Sequence, residues 1–226
     1  IHGWAAFSGM ADVVVVLYLL LIPAMSVMLG SAATASPYAG VGLSREMVTV
    51  ISCELPLVLV LLAVGKAVGG DSVTFSFSAI SAWQLENGSL ITRAGLIPAA
   101  LAMLLVIPGE TGSHPFDTAE AETEICEGLL AEYSGGPLAV YKLSHAVKLL
   151  TMSSLFVALF LGGVGTGIIA LDAVILFALC TVIVAIFVSL VHAVTARLKI
   201  EQVFKYYWTV VTALAAISLV LVWYGL

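Results

Sequence analysis

Apolar residues in this chain come in long unbroken blocks rather than in the alternating or every-third-residue patterns of a soluble fold. Five blocks, at 11–30, 47–68, 138–162, 168–193 and 206–225, are long enough to cross ~30 Å of hydrocarbon at about 1.5 Å of rise per residue. A sixth, at 94–108, is shorter. Hydrocarbon offers no water to open backbone, so each block is expected to be a helix. The fold class predicted is all-α: a polytopic transmembrane helix bundle of about six spans. Between the second and third blocks, 72–83 (SVTFSFSAISAW) alternates polar and apolar residues, which predicts a short interfacial strand or hairpin.

Composition supports a bilayer. The chain is 62% hydrophobic and only 10% charged, too little charge to clothe a soluble domain of 226 residues. Cys53, Cys126 and Cys180 are scattered, without CxxC spacing, so no metal or iron–sulfur site is assigned to this chain. The chain opens with Ile1-His2-Gly3-Trp4 rather than Met, which reads as a loop ahead of the first span, so 1–226 is expected to be a fragment that forms one membrane domain.

With six spans, the connections at 31–46, 109–137 and 194–205 fall on one face of the membrane and those at 69–93 and 163–167 on the other. Arg45, Arg197, Lys199 and Lys205 lie on or beside the first face, which the positive-inside rule makes cytoplasmic, although Lys66 and Arg93 lie near the opposite face. Charge is concentrated there in another way. Residues 110–135 (ETGSHPFDTAEAETEICEGLLAEYSG) hold seven of the 14 acids of the chain and no Lys or Arg. Asp117, Glu120, Glu124 and Glu127 are spaced by three, four and three, so on a helix they would share one stripe, with Pro115 in its first turn and Glu122 pointing elsewhere. Repulsion along such a stripe would lift some carboxyl pKa values toward neutrality, which is proton-handling chemistry. A solvated acidic face that docks a basic partner is an equally open reading.

Within the spans, Glu54 sits roughly two turns inside the second block, in Ile51-Ser52-Cys53-Glu54-Leu55-Pro56. A buried ionised acid costs at least several kcal/mol unless paired or lining water, so Glu54 is a functional candidate; a neutral hydrogen-bonded Glu beside Pro56 is the structural alternative. In the fourth block Lys142, His145 and Lys148 step by three. Lys148 is too deep to snorkel and is expected to pair with Glu54 or the acidic stripe. Lys142 reads as an interfacial anchor, and His145 as a relay or a satisfied polar residue. Asp12 and Asp172 suit helix N-termini. His192, Arg197 and Lys199 suit an anchor, and Pro23 a kink.

These residues resemble a known family: the membrane subunit called 1 or H that joins the two arms of respiratory complex I, with its relatives in energy-converting hydrogenases. The family pattern Glu-Thr-Asn-Arg-Ala-Pro-Phe-Asp-Leu-Pro-Glu-Ala-Glu-Ser-Glu, ending in Glu-Tyr-Ser-Gly, is matched at Glu110, Thr111, Pro115, Phe116, Asp117, Glu120, Ala121, Glu122, Glu124, Gly128, Glu132, Tyr133, Ser134 and Gly135. Tyr38-Ala39, Gly42 and Arg45 fit Tyr-Ala-x-x-Gly-x-x-Arg, and residues 51–56 are similar to Ile-Ser-Tyr-Glu-Val-Pro.

The resemblance covers essentially the whole chain, with the family's first two helices expected upstream of Ile1, and implies a non-catalytic coupling subunit beneath a hydrophilic redox module. It implies a proton or ion relay through Glu54, Glu110, Asp117, Glu120, Glu122, Glu124 and Glu132, while Glu127 falls where the family pattern has no acid. Lys148 looks like the hydrogenase-type relatives, and His145 joins the relay candidates. Docking of the redox module is expected at Arg45, Tyr133, Ser134 and Gly135. Iron–sulfur clusters, and in hydrogenase-type members a nickel–iron centre, would reside in the hydrophilic partner subunits, and antiporter-like membrane subunits would be further partners. Where quinone-reducing members have Asn-Arg-Ala, this chain has Gly112-Ser113-His114. The expectation is therefore a ferredoxin-linked complex of the membrane-bound hydrogenase or sulfane-reductase kind in the cell membrane. Quinone-linked complex I is the alternative, and an autonomous ion antiporter is a third reading of a different class.

Overall fold

The computed structural model describes residues 12–70, 72–162 and 169–225, without the side chains of Glu122, Thr123, Ile169, Ala170 and Leu190. The opening four residues and the connection at 163–167 lie outside the described residues. Helices α1 (Val13–Ala33), α2 (Pro37–Gly69) and α6 (Gly136–Phe160) are long and apolar enough to cross a membrane. So are α7, which runs as Ile169–Ile183, a π-helical segment Val184–Leu190 and a last turn Val191–Val194, and α8, built from Ile200–Tyr206, a π-helical segment Tyr207–Val211 and Thr212–Trp223. That makes five candidate spans among the described residues; the sixth apolar block forms the shorter α4 (Ile97–Glu110). The remaining helices are the short α3 (Phe77–Asn87) and α5 (Glu122–Ile125).

α2 is the central element. Its 33 residues extend about 50 Å, beyond the ~30 Å of hydrocarbon, so residues 37–46, expected as a connection, are helical. Pro37 starts the helix in a first turn that needs no donor from it. α2 packs against α4 and α8 around one apolar cluster that includes Leu57, Val60, Val64, Met103, Ile107, Phe156, Phe160 and Tyr207. Outward faces carry exposed apolar side chains such as Leu29, Val140, Leu143 and Phe177, as lipid contact requires.

The two ends of the bundle are built differently. At one, Val13 donates to the Phe75 carbonyl (2.9 Å) and Asp12 forms a single bridge with Ser76. Beyond that bridge the expected strand or hairpin at 72–83 is replaced by helix α3 from Phe77 onward. Gln84 of α3, fully buried, donates to the Leu159 carbonyl at the end of α6 (2.5 Å), a contact that alternation in sequence cannot display. At the other end the segment 111–135 folds back over α1, α2 and α6, with Ala119, Leu129 and Leu130 packed on Val27, Leu43, Leu138 and Tyr141. Gly42 makes this possible: a Cβ there would meet the Leu129 nitrogen at 2.8 Å and the Ala119 oxygen at 3.0 Å.

A carboxylate-lined cavity under the acidic segment

The expected helical stripe of Asp117, Glu120, Glu124 and Glu127 does not form. Helix in the segment is limited to the single turn α5 and a 3-10 turn at Gly128–Leu130, and Cys126 and Glu127 both have positive φ, at 49° and 67°. Pro115 lies in a turn, not in a helix, its carbonyl accepting from Leu198 N–H (3.1 Å). The acids are therefore distributed by loop packing, each to its own surroundings. Asp117 pairs with Arg197 (2.6 Å), so Arg197 ties the connection before α8 to the segment rather than only anchoring the bundle. Arg45 of α2 turns inward, donating to Glu124 Oε2 (2.6 Å) and the Thr118 carbonyl (3.2 Å). Glu132, Ser134 and Gly135 are exposed, and Tyr133 is half-buried with its ring 5.1 Å from that of Tyr141. The Glu122 side chain lies outside the described residues.

Beneath this segment is a cavity of about 230 Å³. α1 contributes Pro23, Ala24 and Val27; α2 contributes Glu46; the end of α4 contributes Glu110 and Thr111; the loop contributes Phe116, Asp117 and Glu120. α6 supplies Tyr141, Lys142, Ser144, His145 and Lys148. Glu110 and Lys148 are 3.1 Å apart, and their side chains are 3% and 7% exposed. Lys148 thus finds an acid, as its depth demands, but its partner is Glu110 rather than Glu54 or the supposed stripe. Glu54 is half-buried, about 12 Å along α2 from Glu46, and does not line the cavity. It makes no hydrogen bond or ion pair among the described residues, although the Lys148 charge reaches it. Glu110 Oε2 is buried and without a hydrogen-bond partner among the described residues.

Glu120 stands exposed at the cavity surface, yet the protein around it removes enough water, and Asp117, Glu46 and Glu127 add enough negative charge, to push its pKa up to about 7 against the pull of Lys142. A second, more open pocket shares Gly112, Asp117, Glu120 and His145 with the first and adds Ser113, His114, Ser189 and His192. His114 donates from Nε2 to the Thr195 carbonyl (3.0 Å), and its ring lies 4.8 Å from that of His192. Burial, then the His192 ring, pull its pKa below the usual imidazole value, with Asp117 opposing. Ser113, buried, shares a hydrogen bond with Thr111 (2.9 Å).

Two features of the site are not evident from sequence alone. Glu46 falls in the connection expected at 31–46, whereas Pro37 after Ser36, a helix-start signal, extends α2 over it. Pro23, expected as a kink, also forms cavity wall. Among the described residues no group of three His, Cys, Asp or Glu is arranged to hold a metal ion.

Known proteins are similar to this chain in sequence and fold. The family described as NADH dehydrogenase matches residues 4–223. Hydrogenase-4 component C of Escherichia coli is 38% identical over 156 residues, 69% of this chain and 47% of that protein. NADH-quinone oxidoreductase subunit 8 of Thermus thermophilus is 31% identical over 196 residues, 85% of this chain and 52% of that protein. The chain thus spans about half the length of these curated relatives. A chain in the structure of the membrane-bound sulfane sulfur reductase, an archaeal respiratory membrane complex, superposes with a TM-score of 0.85 at 30% identity, covering 93% of this chain and 69% of that one. This multi-pass membrane chain belongs to the NADH dehydrogenase subunit 1/H family.

Proposed function

We propose that the chain is the membrane coupling subunit of a multi-subunit respiratory-type oxidoreductase of the ferredoxin-linked, membrane-bound hydrogenase or sulfane-reductase kind. It anchors a hydrophilic redox module and links electron transfer to H⁺ or Na⁺ translocation through buried carboxylates. The observation that carries this reading is the Glu110–Lys148 pair, buried at the base of a cavity whose walls reach Glu120 near the surface. A buried ion pair is weak evidence of stability alone, and in a membrane protein it marks a charge pathway by default. Segment 109–137 would lie on the cytoplasmic side of the cell membrane and dock the redox module. Exposed Glu132, Ser134 and Gly135 suit this better than Arg45, whose guanidinium is occupied within the chain. Iron–sulfur clusters and a nickel–iron centre would belong to the docked subunits, and antiporter-like subunits would flank the spans. No catalytic residue is assigned within the single membrane domain.

Purification of the native assembly through a tag on this chain tests the reading. Iron–sulfur and hydrogenase-like large subunits should co-purify, crosslinked to 109–137. A chain that purifies alone and exchanges ions by itself in liposomes would be an antiporter instead. Quinone-linked complex I remains the second reading, favoured by the similarity to NADH-quinone oxidoreductase subunit 8. Competitive inhibition by a quinone analogue that shifts with His114→Arg would put it first.

A further inference from the structure

We propose that Glu46 is the proton-holding partner of the Glu110–Lys148 pair, so that two carboxylates share one ammonium and one proton. This deepens the relay reading above and rests on it. Glu46 projects from α2 into the cavity that α4 lines with Glu110 and α6 lines with Lys148. The charges of both residues reach Glu46, which makes no hydrogen bond or ion pair of its own among the described residues. Glu110 Oε1 holds Lys148 at 3.1 Å, while the buried Oε2 has no hydrogen-bond partner among the described residues. A buried carboxylate oxygen left without a donor keeps its desolvation cost uncompensated, and a second carboxyl in the same cavity is a source of a donor when it carries a proton.

Charge balance points the same way. Facing Glu46 from the loop are Asp117, already paired with Arg197, and Glu120; α1 contributes only apolar wall. From α6 come Lys148 and, more exposed, Lys142 and His145, with Tyr141 beside them. One buried ammonium against the buried Glu110 carboxylate and the half-buried Glu46 leaves an excess negative charge unless one carboxyl is neutral, as in other like-charge pairs that share a site. Exchange between the two states is balanced: the proton leaves the Glu46 carboxyl for a Glu110 oxygen, and Lys148 moves from Glu110 to the newly ionised Glu46. Only O–H and N–H contacts change, and total charge is conserved. Glu46 would thereby pass a proton between Glu120, nearer the surface, and the buried pair.

The test uses the native complex carrying this chain, with infrared difference spectra across a change of redox state or pH and ion pumping measured in parallel. Glu46→Gln should abolish one protonated-carboxyl C=O band and lower ions pumped per electron by at least about tenfold. Glu46→Asp should shift the band's frequency and keep part of the pumping. If Glu46→Gln impairs assembly, the Glu46→Asp shift decides alone, and an unshifted band overturns the proposal. An unchanged band and unchanged pumping in Glu46→Gln would also overturn it. Failure of the parent reading looks different: there Glu110→Gln and Lys148→Met would pump at the wild-type ratio as well.

Discussion

At the residue scale, the Glu110–Lys148 pair sets the strongest expectations. Lys148→Met leaves a buried carboxylate without its counter-ion, a loss of about 3–5 kcal/mol for a pair this enclosed, which should lower the melting temperature of the native assembly. Adding Glu110→Gln should recover much of it; a double variant no more stable than the single would mean the pair is not the source. Glu120 makes a pH-dependent contribution. With its folded pKa raised to about 7 from 4.5, the folded state holds a proton that the unfolded chain releases earlier. That contribution is therefore full below about pH 4.5 and is lost as the pH climbs through about 7. Glu120→Gln should flatten the slope of stability between about pH 5 and about pH 7, and an unaltered slope would reject the shift. Glu54 differs from both, being half-buried and outside the cavity. Glu54→Gln should assemble and lose most coupled pumping, Glu54→Asp should retain part, and Glu86→Gln in the opposite connection should change little. Wild-type pumping in Glu54→Gln would make Glu54 a structural residue.

At the scale of elements, what could be read in advance was whatever a bilayer imposes locally. Runs such as 138–162 had to become helices because their backbone has no other partner, and Lys148 had to find an acid because of its depth. What could not be read was set by packing over long sequence separations. The polar and apolar alternation of 72–83 suits a strand, but Gln84 reaching the end of α6 belongs to a helix. The three-four-three spacing of acids suits a helix, but Arg45 and Arg197, one from α2 and one from the connection before α8, draw Glu124 and Asp117 apart. Glu46 was hidden for the same reason, since its significance comes from α4 and α6 rather than its own neighbours. Arg45→Ala should loosen the segment from α2, raising cysteine-labelling rates at 118–124 in the native assembly while leaving the spans intact; unchanged labelling would show that Gly42 packing alone holds it.

At the scale of the whole molecule, the fold places the acidic segment over one cavity whose lining includes the buried Glu110–Lys148 pair. The five spans and α4 pack around an apolar core, and α1, α2, α4 and α6 meet the acidic segment at a cavity lined by Glu46, Glu110, Asp117, Glu120, Lys142 and Lys148. A chain of this family needs such an arrangement if it passes charge between a docked redox module and neighbouring membrane subunits. The most direct test is the number of ions pumped per electron in the reconstituted native complex carrying Glu110→Gln, with electron transfer measured alongside. The expected outcome is an assembled complex that still transfers electrons but has lost most of its ion pumping. An assembled Glu110→Gln complex that pumps at the wild-type ratio would contradict it.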